Sequence, residues 1–275
     1  MTAAHASGDD RMFDADQLGE RCADHAGSFS CNGGPKWAPS ERYLAAMFPA
    51  VQLALLALGA ASCPSNLAND LATPAPAASR QLITVEAATS RATCATARAW
   101  TRVDGCWTEA GGSYVARVGR NGVRTNKREA DGATPAGTFP IGGTMYGNSP
   151  SPGVSYPYVR LRCGDWWVED SRSPAYNTFQ RVDCGRKPPF KVTTPDMSTS
   201  PRAYAHLAVI EYNMHPVVPG RGSGIFLHVQ IGKATSGCVS LSRPALVRVL
   251  RWLRRDALPQ IAIGTTDSLR QARRS

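Results

Sequence analysis

Short apolar runs, broken by Gly, Pro, Asn or Ser, cover most of the chain after residue 80. Runs of this length, bounded by turn-forming residues, are typical of β-strands. The pattern predicts strands over residues 82–87, 95–103, 113–118, 158–162, 166–168, 207–212 and 261–263. A tight turn is expected at residues 119–122, where glycines flank Arg and Asn. The sequence therefore predicts a mainly β domain.

One segment near the C-terminus has helical periodicity instead. Ser242 is a favourable N-cap, and Pro244 falls in the first turn, where a missing N–H is tolerated. Within residues 243–254 the apolar positions lie three or four residues apart, on one face: Leu246, Val249, Leu250 and Leu253. We expect one helix here.

Residues 43–62 are the only long apolar stretch in the sequence. Part of it has the length of a signal-peptide core, and small residues suited to cleavage follow. Three interpretations are open: a cleaved signal peptide, a retained membrane anchor, and a lipid attached to Cys63. Residues 1–42 are then an N-terminal extension, which is not translated if Met47 is the true start.

Composition divides the remainder into three parts. Residues 63–80 are rich in Ala, Pro, Ser and Asn, which predicts an exposed linker. Residues 81–264 carry the strand and helix signals and form the predicted domain. Residues 265–275 are interpreted as a basic tail.

The net charge of +10 is unevenly distributed. The first 62 residues carry more acidic than basic side chains, so the excess of Lys and Arg lies in the remainder. A basic domain favours polyanionic surroundings such as a cell wall or a membrane surface, although charge spread for solubility explains the excess equally well. The sequence has no basic run interleaved with aromatic residues, so it gives no indication of nucleic-acid binding.

Eight cysteines suit an oxidising compartment. Pairing of Cys94 with Cys106, and of Cys163 with Cys184, would each close a loop of modest length and stabilise the fold by roughly 2–4 kcal/mol. Three further cysteines, Cys22, Cys31 and Cys63, lie outside the predicted domain. Cys238 is then unpaired, as a nucleophile must be.

A histidine and this cysteine are spaced so that they can meet. Residues 224–227 predict a short buried strand that ends at His228, and a turn over residues 232–234 returns the chain toward Cys238. Gly237 permits a close backbone approach just before the cysteine. Because an imidazole can activate a thiol, the pair indicates acyl transfer through a cysteine thioester.

The same residues carry a family resemblance. His228, the segment TSGCVSL (residues 235–241) and the segment ATPAGTFPI (residues 133–141) resemble the L,D-transpeptidase catalytic domain, the YkuD-like family, in an actinobacterial-type secreted form. The resemblance covers residues 81–264 and implies a YkuD-like β-sandwich with one C-terminal helix after the catalytic cysteine. It assigns the segment at residues 134–139 to the scaffold beside the active-site cleft.

The family signature has a second histidine two residues before the cysteine and an Arg or Asn two residues after it, where this chain has Ser236 and Ser240. Ser236 either donates a hydrogen bond to substrate or only fills space. The resemblance implies that a backbone carbonyl orients His228 and that the hydroxyl of Tyr212 points into the oxyanion hole.

The backbone N–H groups of Gly237 and Cys238 are natural oxyanion donors, because glycine leaves that face open. Arg243 either reaches a substrate carboxylate or is a solvated residue of the first helical turn.

By resemblance, the substrate is a peptidoglycan stem tetrapeptide, and Cys238 releases the terminal D-Ala to form a thioester. A side-chain amine of a neighbouring stem then gives a 3→3 cross-link, whereas water would make the protein an L,D-carboxypeptidase. A wall-binding module without catalysis is the alternative of another class.

The resemblance implies no cofactor and a secreted, wall-associated protein. A zinc site is not indicated, because His206, His215, His228 and Cys238 match no usual ligand spacing.

Overall fold

The computed structural model describes residues 62–270, so the N-terminal extension and nearly all of the apolar stretch at residues 43–62 lie outside the described residues. Its strands are β1 (Gln81–Ala87), β2 (Cys94–Val103), β3 (Cys106–Arg117), β4 (Val123–Arg124), β5 (Thr134–Pro135), β6 (Gly137–Gly147), β7 (Tyr158–Arg160), β8 (Asp165–Trp167), β9 (Phe179–Arg181), β10 (Leu207–Ile210), β11 (Phe226–Val229), β12 (Val239–Leu241) and β13 (Gln260–Thr265). The helices are α1 (Arg243–Trp252) and the single turn α2 (Thr266–Leu269). Within residues 62–270, no helix is both long and apolar enough to cross a membrane.

Nine of the strands form one sheet in the order β10-β11-β12-β3-β2-β1-β13-β6-β7. Because β10 pairs with β6 as well as with β11, the sheet closes on itself. The strand pattern of the sequence is thus confirmed, and the fold is mainly β with one helix of more than a single turn near the C-terminus. The enclosed core contains alternate residues of many strands, among them Ile83, Val85, Leu227 and Val239.

Helix α1 forms where its periodicity predicts and positions the strands of the site. The side chain of Ser242 caps it by accepting a hydrogen bond from the Ala245 N–H, and Pro244 lies in its first turn. Leu246 and Leu250 are fully buried. Their burial packs the helix against β11 and β12, the two strands that carry the histidine and lead away from the cysteine.

The segment at residues 63–80 is not the exposed linker that its composition predicts. Leu67, Leu71 and Ala75 are buried in a second cluster, with Leu82, Trp100, Trp107 and Leu269. The prediction from composition fails because Leu67 and Leu71, although few, cover Trp100 on β2 and Trp107 on β3. Leu269 lies in α2, so residues 265–270 also belong to the fold and are not a free tail.

The predicted pairing of Cys94 with Cys106 is wrong. In the β2–β3 hairpin, Cys94 lies opposite Arg117 at one end, whereas Cys106 lies opposite Val103 at the other. Strand geometry separates these ends by roughly 30 Å. Cys106 instead pairs with Cys63, which the docked N-terminal segment brings to the hairpin turn. The predicted Cys163–Cys184 disulfide is confirmed.

Candidate active site

Strand pairing brings the predicted dyad to one face of the sheet. β11 and β12 are parallel neighbours, with Leu227 opposite Val239 and His228 opposite Ser240. Leu227 and Val239 point into the closed core. Because side chains alternate along a strand, His228 on β11 and Cys238, the residue before β12, lie on the other face.

The thiol of Cys238 is free and nearly buried. It donates a hydrogen bond to the Gly224 carbonyl, and its Sγ accepts one from the Phe226 N–H, both at 3.4 Å. Burial raises the pKa of this thiol to about 12. Cys238 therefore rests as a neutral thiol, hydrogen-bonded to the backbone at Gly224 and Phe226 and not to the imidazole.

The imidazole of His228 is oriented by a backbone carbonyl, as the sequence predicts. Its Nδ1 lies 2.8 Å from the Val229 oxygen, which can only accept, so Nδ1 carries the proton and Nε2 has a free lone pair. The ring packs edge-to-face on Tyr204, with centroids 5.7 Å apart. Burial lowers the pKa of His228 to about 4, although the carbonyls of Val229 and Ala203 oppose the shift. The His228 imidazole is neutral at physiological pH.

The turn before Cys238 requires glycine. Gly237 has φ +143°, and a Cβ there would lie 2.9 Å from the Ala133 carbonyl oxygen. The carbonyl of Cys238 accepts hydrogen bonds from the Thr235 hydroxyl at 2.6 Å and the Thr134 hydroxyl at 3.1 Å. Thr134 is the first residue of the Thr-Pro-Ala-Gly-Thr-Phe segment, so that segment holds the cysteine turn in place.

The candidate oxyanion donors are not all available. The Gly237 N–H donates to the Thr235 hydroxyl at 3.1 Å, which leaves the Cys238 N–H as the backbone candidate. The prediction for Tyr212 is not supported, because its hydroxyl donates to the Arg221 carbonyl at 2.7 Å and its ring packs on Phe139. Tyr204 is the tyrosine that lines the same cleft as Cys238.

Two further predicted residues lie in different places. Ser236 is exposed at the cleft rim, where its hydroxyl accepts a hydrogen bond from Arg120 at 3.0 Å. Arg243 begins α1 and donates to the Ser149 hydroxyl at 2.9 Å, away from the residues that line the cleft. Ser236 therefore lines the cleft that contains Cys238, whereas Arg243 lies outside it.

The cleft beside Cys238 has a volume of about 400 Å³ and contains charged residues that the sequence analysis missed: Arg120, Lys127, Glu129 and Glu169. Lys127 is 3% exposed and pairs with Asp131 at 2.8 Å. Arg120, Lys127 and Glu169 come from separate loops, so no local sequence signal could have brought them together. Among residues 62–270, no group of three or more His, Cys, Asp or Glu converges in a way that could hold a metal ion.

A family model described as the L,D-transpeptidase catalytic domain, YkuD, matches residues 97–265. The match covers more than half of the chain, and the chain belongs to this family. Members are in general cysteine-dependent acyltransferases. No curated protein and no solved structure matches the chain. Two disulfides within the described residues fit an extracellular protein.

Proposed function

We propose that this protein is a peptidoglycan L,D-transpeptidase that cross-links stem peptides through a thioester on Cys238. The observation that carries the proposal is a free thiol that lines a cleft, on the same sheet face as an imidazole with an unprotonated Nε2. The family acts on peptidoglycan, which supports the stem tetrapeptide as the substrate.

The neutral resting state sets the order of the proton steps. With the pKa of the thiol raised to about 12 and that of the imidazole lowered to about 4, a preformed thiolate–imidazolium pair is disfavoured. The proton therefore passes from Sγ to Nε2 as the sulfur–carbon bond forms. His228 then gives this proton to the departing amine of D-Ala as the carbon–nitrogen bond breaks.

Two neighbours suit the charge that develops on the substrate. The Cys238 N–H and the Tyr204 hydroxyl are candidate donors to the oxyanion, because burial raises the pKa of Tyr204 and keeps it a neutral O–H donor. Arg120, already fixed to Ser236 at the rim, can receive the terminal carboxylate of the donor stem. These roles replace the ones that the sequence suggested for Tyr212 and Arg243.

We also propose that the protein acts outside the cytoplasmic membrane, in contact with the wall. The Cys63–Cys106 and Cys163–Cys184 disulfides and the basic charge after residue 62 support this placement. Fractionation of cells that express the full chain, followed by thiol labelling without reduction, tests it. Export is expected to give Cys63, Cys106, Cys163 and Cys184 that resist alkylation.

The test of function is incubation of the full-length protein with a disaccharide-tetrapeptide. We expect a covalent adduct on Cys238, visible by mass spectrometry, and release of D-Ala. Cys238→Ala should abolish both, because no other free thiol lies in the described cleft, whereas Cys238→Ser should fold normally and also form no thioester. Turnover by Cys238→Ala at the wild-type rate would rule the thioester mechanism out. Absence of any adduct and of any D-Ala release in the wild type would instead favour a non-catalytic wall-binding role.

A further inference from the structure

Glu169 lines the cleft beside Cys238, and no role has been given to it above. It follows β8 and lines the same cleft as Cys238. Its Oε1 lies 2.8 Å from the position that a Cβ on Gly224 would occupy. The carbonyl of Gly224 in turn accepts the hydrogen bond from the thiol. The carboxyl group therefore adjoins the backbone that holds the reacting sulfur.

The charged neighbours of Glu169 are already satisfied by other groups. Glu129 accepts hydrogen bonds from Tyr176 and from the Ser223 hydroxyl at 2.8 Å. Lys127 donates to Asp131 at 2.8 Å and to the Arg128 carbonyl at 3.2 Å. Within residues 62–270, the Glu169 carboxyl makes no hydrogen bond or ion pair of its own. It is thus the cleft carboxyl whose oxygens are free for a ligand.

The surroundings of this carboxyl hold it near the point of ionisation. Burial raises the pKa of Glu169 to about 7, the charge on Glu129 reinforces the rise, and Lys127 opposes it. A carboxyl that is partly ionised at neutral pH can attract a cation and can also accept a proton from it. An ammonium group is the ligand that suits both properties, because it is a cation and can give up a proton.

We propose that Glu169 binds the ammonium group of the acceptor stem and removes the proton that it must lose before attacking the thioester. The assignment rests on the proposed function, since it concerns the second half of that reaction. An amine that arrives as ammonium cannot attack a carbonyl, because its lone pair is occupied by the proton.

The step balances without a further reactant. The ammonium passes one proton to the Glu169 carboxylate, and the neutral amine attacks the thioester carbonyl. The carbon–nitrogen bond forms, the carbon–sulfur bond breaks, and the second amine proton goes through His228 to the departing sulfur. An amide and a free Cys238 thiol result, and Glu169 releases its proton to solvent. Water needs no such help, so Glu169 favours cross-linking over hydrolysis.

The experiment measures how the acyl-enzyme is partitioned. Full-length wild type and Glu169→Gln are mixed with disaccharide-tetrapeptide at neutral pH, and cross-linked dimer and hydrolysed tripeptide are quantified by chromatography and mass spectrometry. We expect the dimer-to-tripeptide ratio to fall at least about tenfold in Glu169→Gln, the low end for loss of a proton acceptor. Glu169→Asp, which keeps a shorter carboxyl, should recover part of the ratio.

Hydroxylamine separates ammonium binding from a general defect, because it is uncharged at neutral pH and attacks the same thioester. Its product-to-hydrolysis ratio should be the same in wild type and Glu169→Gln. Glu109→Gln, an exposed position on β3, is the matched control and should behave as wild type. An unchanged dimer ratio in Glu169→Gln, or an equal loss with hydroxylamine, would overturn the assignment. Absence of any thioester on the wild-type protein would instead overturn the proposed function, and this assignment with it.

Discussion

The residues that line the cleft beside Cys238 fall into an apolar set and a charged set, which we term the apolar wall and the charged wall. The apolar wall consists of Trp167, Met197, Tyr204 and Phe226, with His228 packed against Tyr204. The charged wall consists of Arg120, Lys127, Glu129 and Glu169. The first packs beside Cys238 and His228, and the second presents charges to whatever enters the cleft.

The two walls keep their ionisable groups in different states. Next to the apolar wall, Cys238 and His228 have backbone partners, and burial makes both neutral. On the charged wall, Lys127 remains beside the nucleophile because Asp131 compensates it. A buried charge is tolerated where a partner reaches it and is suppressed where none does. Burial therefore keeps Cys238 and His228 neutral and raises the pKa of the unpaired Glu169, whereas Lys127 has a carboxylate partner in Asp131.

The largest expected effect comes from breaking the compensation on the charged wall. Lys127→Met removes the cation from the Asp131 carboxylate, which is 13% exposed and keeps the Arg128 and Ala133 N–H groups, and should lower the free energy of unfolding by about 3 kcal/mol, the low end for a broken buried pair. Chemical denaturation measures the loss. Lys187→Met, at an exposed position, is the control, and Lys127→Met/Asp131→Asn should recover part of the stability. Equal stability of the two single variants would show that Asp131 does not need Lys127.

A somewhat smaller effect is expected from removing the base beside the apolar wall. His228→Ala should slow acylation of Cys238 by a carbapenem at least about a hundredfold, because Nε2 no longer receives the thiol proton. Stopped-flow fluorescence or intact-protein mass spectrometry gives the rate. His206→Ala removes another buried histidine, which hydrogen-bonds Tyr158 at 3.0 Å and does not line the cleft, and should leave the rate unchanged. Equal rates for both variants would exclude His228 as the base.

The smallest expected effect is on the pH dependence of Cys238 acylation, which tests whether burial beside the apolar wall keeps His228 neutral. An unperturbed histidine would lose activity as the pH falls through roughly 6.5. Because burial lowers the pKa of His228 to about 4, its lone pair stays available, and the His228 limb of acylation should appear only near pH 4. Glu169, with its pKa raised to about 7, can add a separate ionisation near neutrality, so the profile is measured in wild type and in Glu169→Gln. A limb near 6.5 that persists in Glu169→Gln would contradict a buried neutral imidazole.

The same shift makes a prediction for stability, with a definite sign. Between about pH 6.5 and pH 4, His228 is protonated in the unfolded chain and neutral in the folded chain. The contribution of His228 to the free energy of unfolding is therefore complete above the unfolded pKa and is lost as the pH falls through this window. Denaturation of wild type and His228→Ala at the two ends should show a smaller pH effect in the variant.

Some of this molecule was determined by the sequence alone, because the information is local. Alternation and turn residues predict the strands, and Ser242, Pro244 and the apolar spacing predict α1 with its cap. The order strand, histidine, turn, glycine, cysteine predicts a dyad on neighbouring strands. Each of these signals is contained within about a dozen residues, so no distant contact is needed to read it.

The tertiary structure decided the rest, because it depends on segments distant in the sequence. Cys106 pairs with Cys63 and not with Cys94, since the hairpin separates the nearer pair and the packing of residues 63–80 supplies the farther one. The charged wall combines Lys127, Glu169 and Arg120 from separate loops, and no local pattern joins them. Burial, which sets the protonation of His228, Cys238 and Glu169, is a property of everything that packs around them. The sequence therefore determined which groups could react, and the packing determined their charges and their partners.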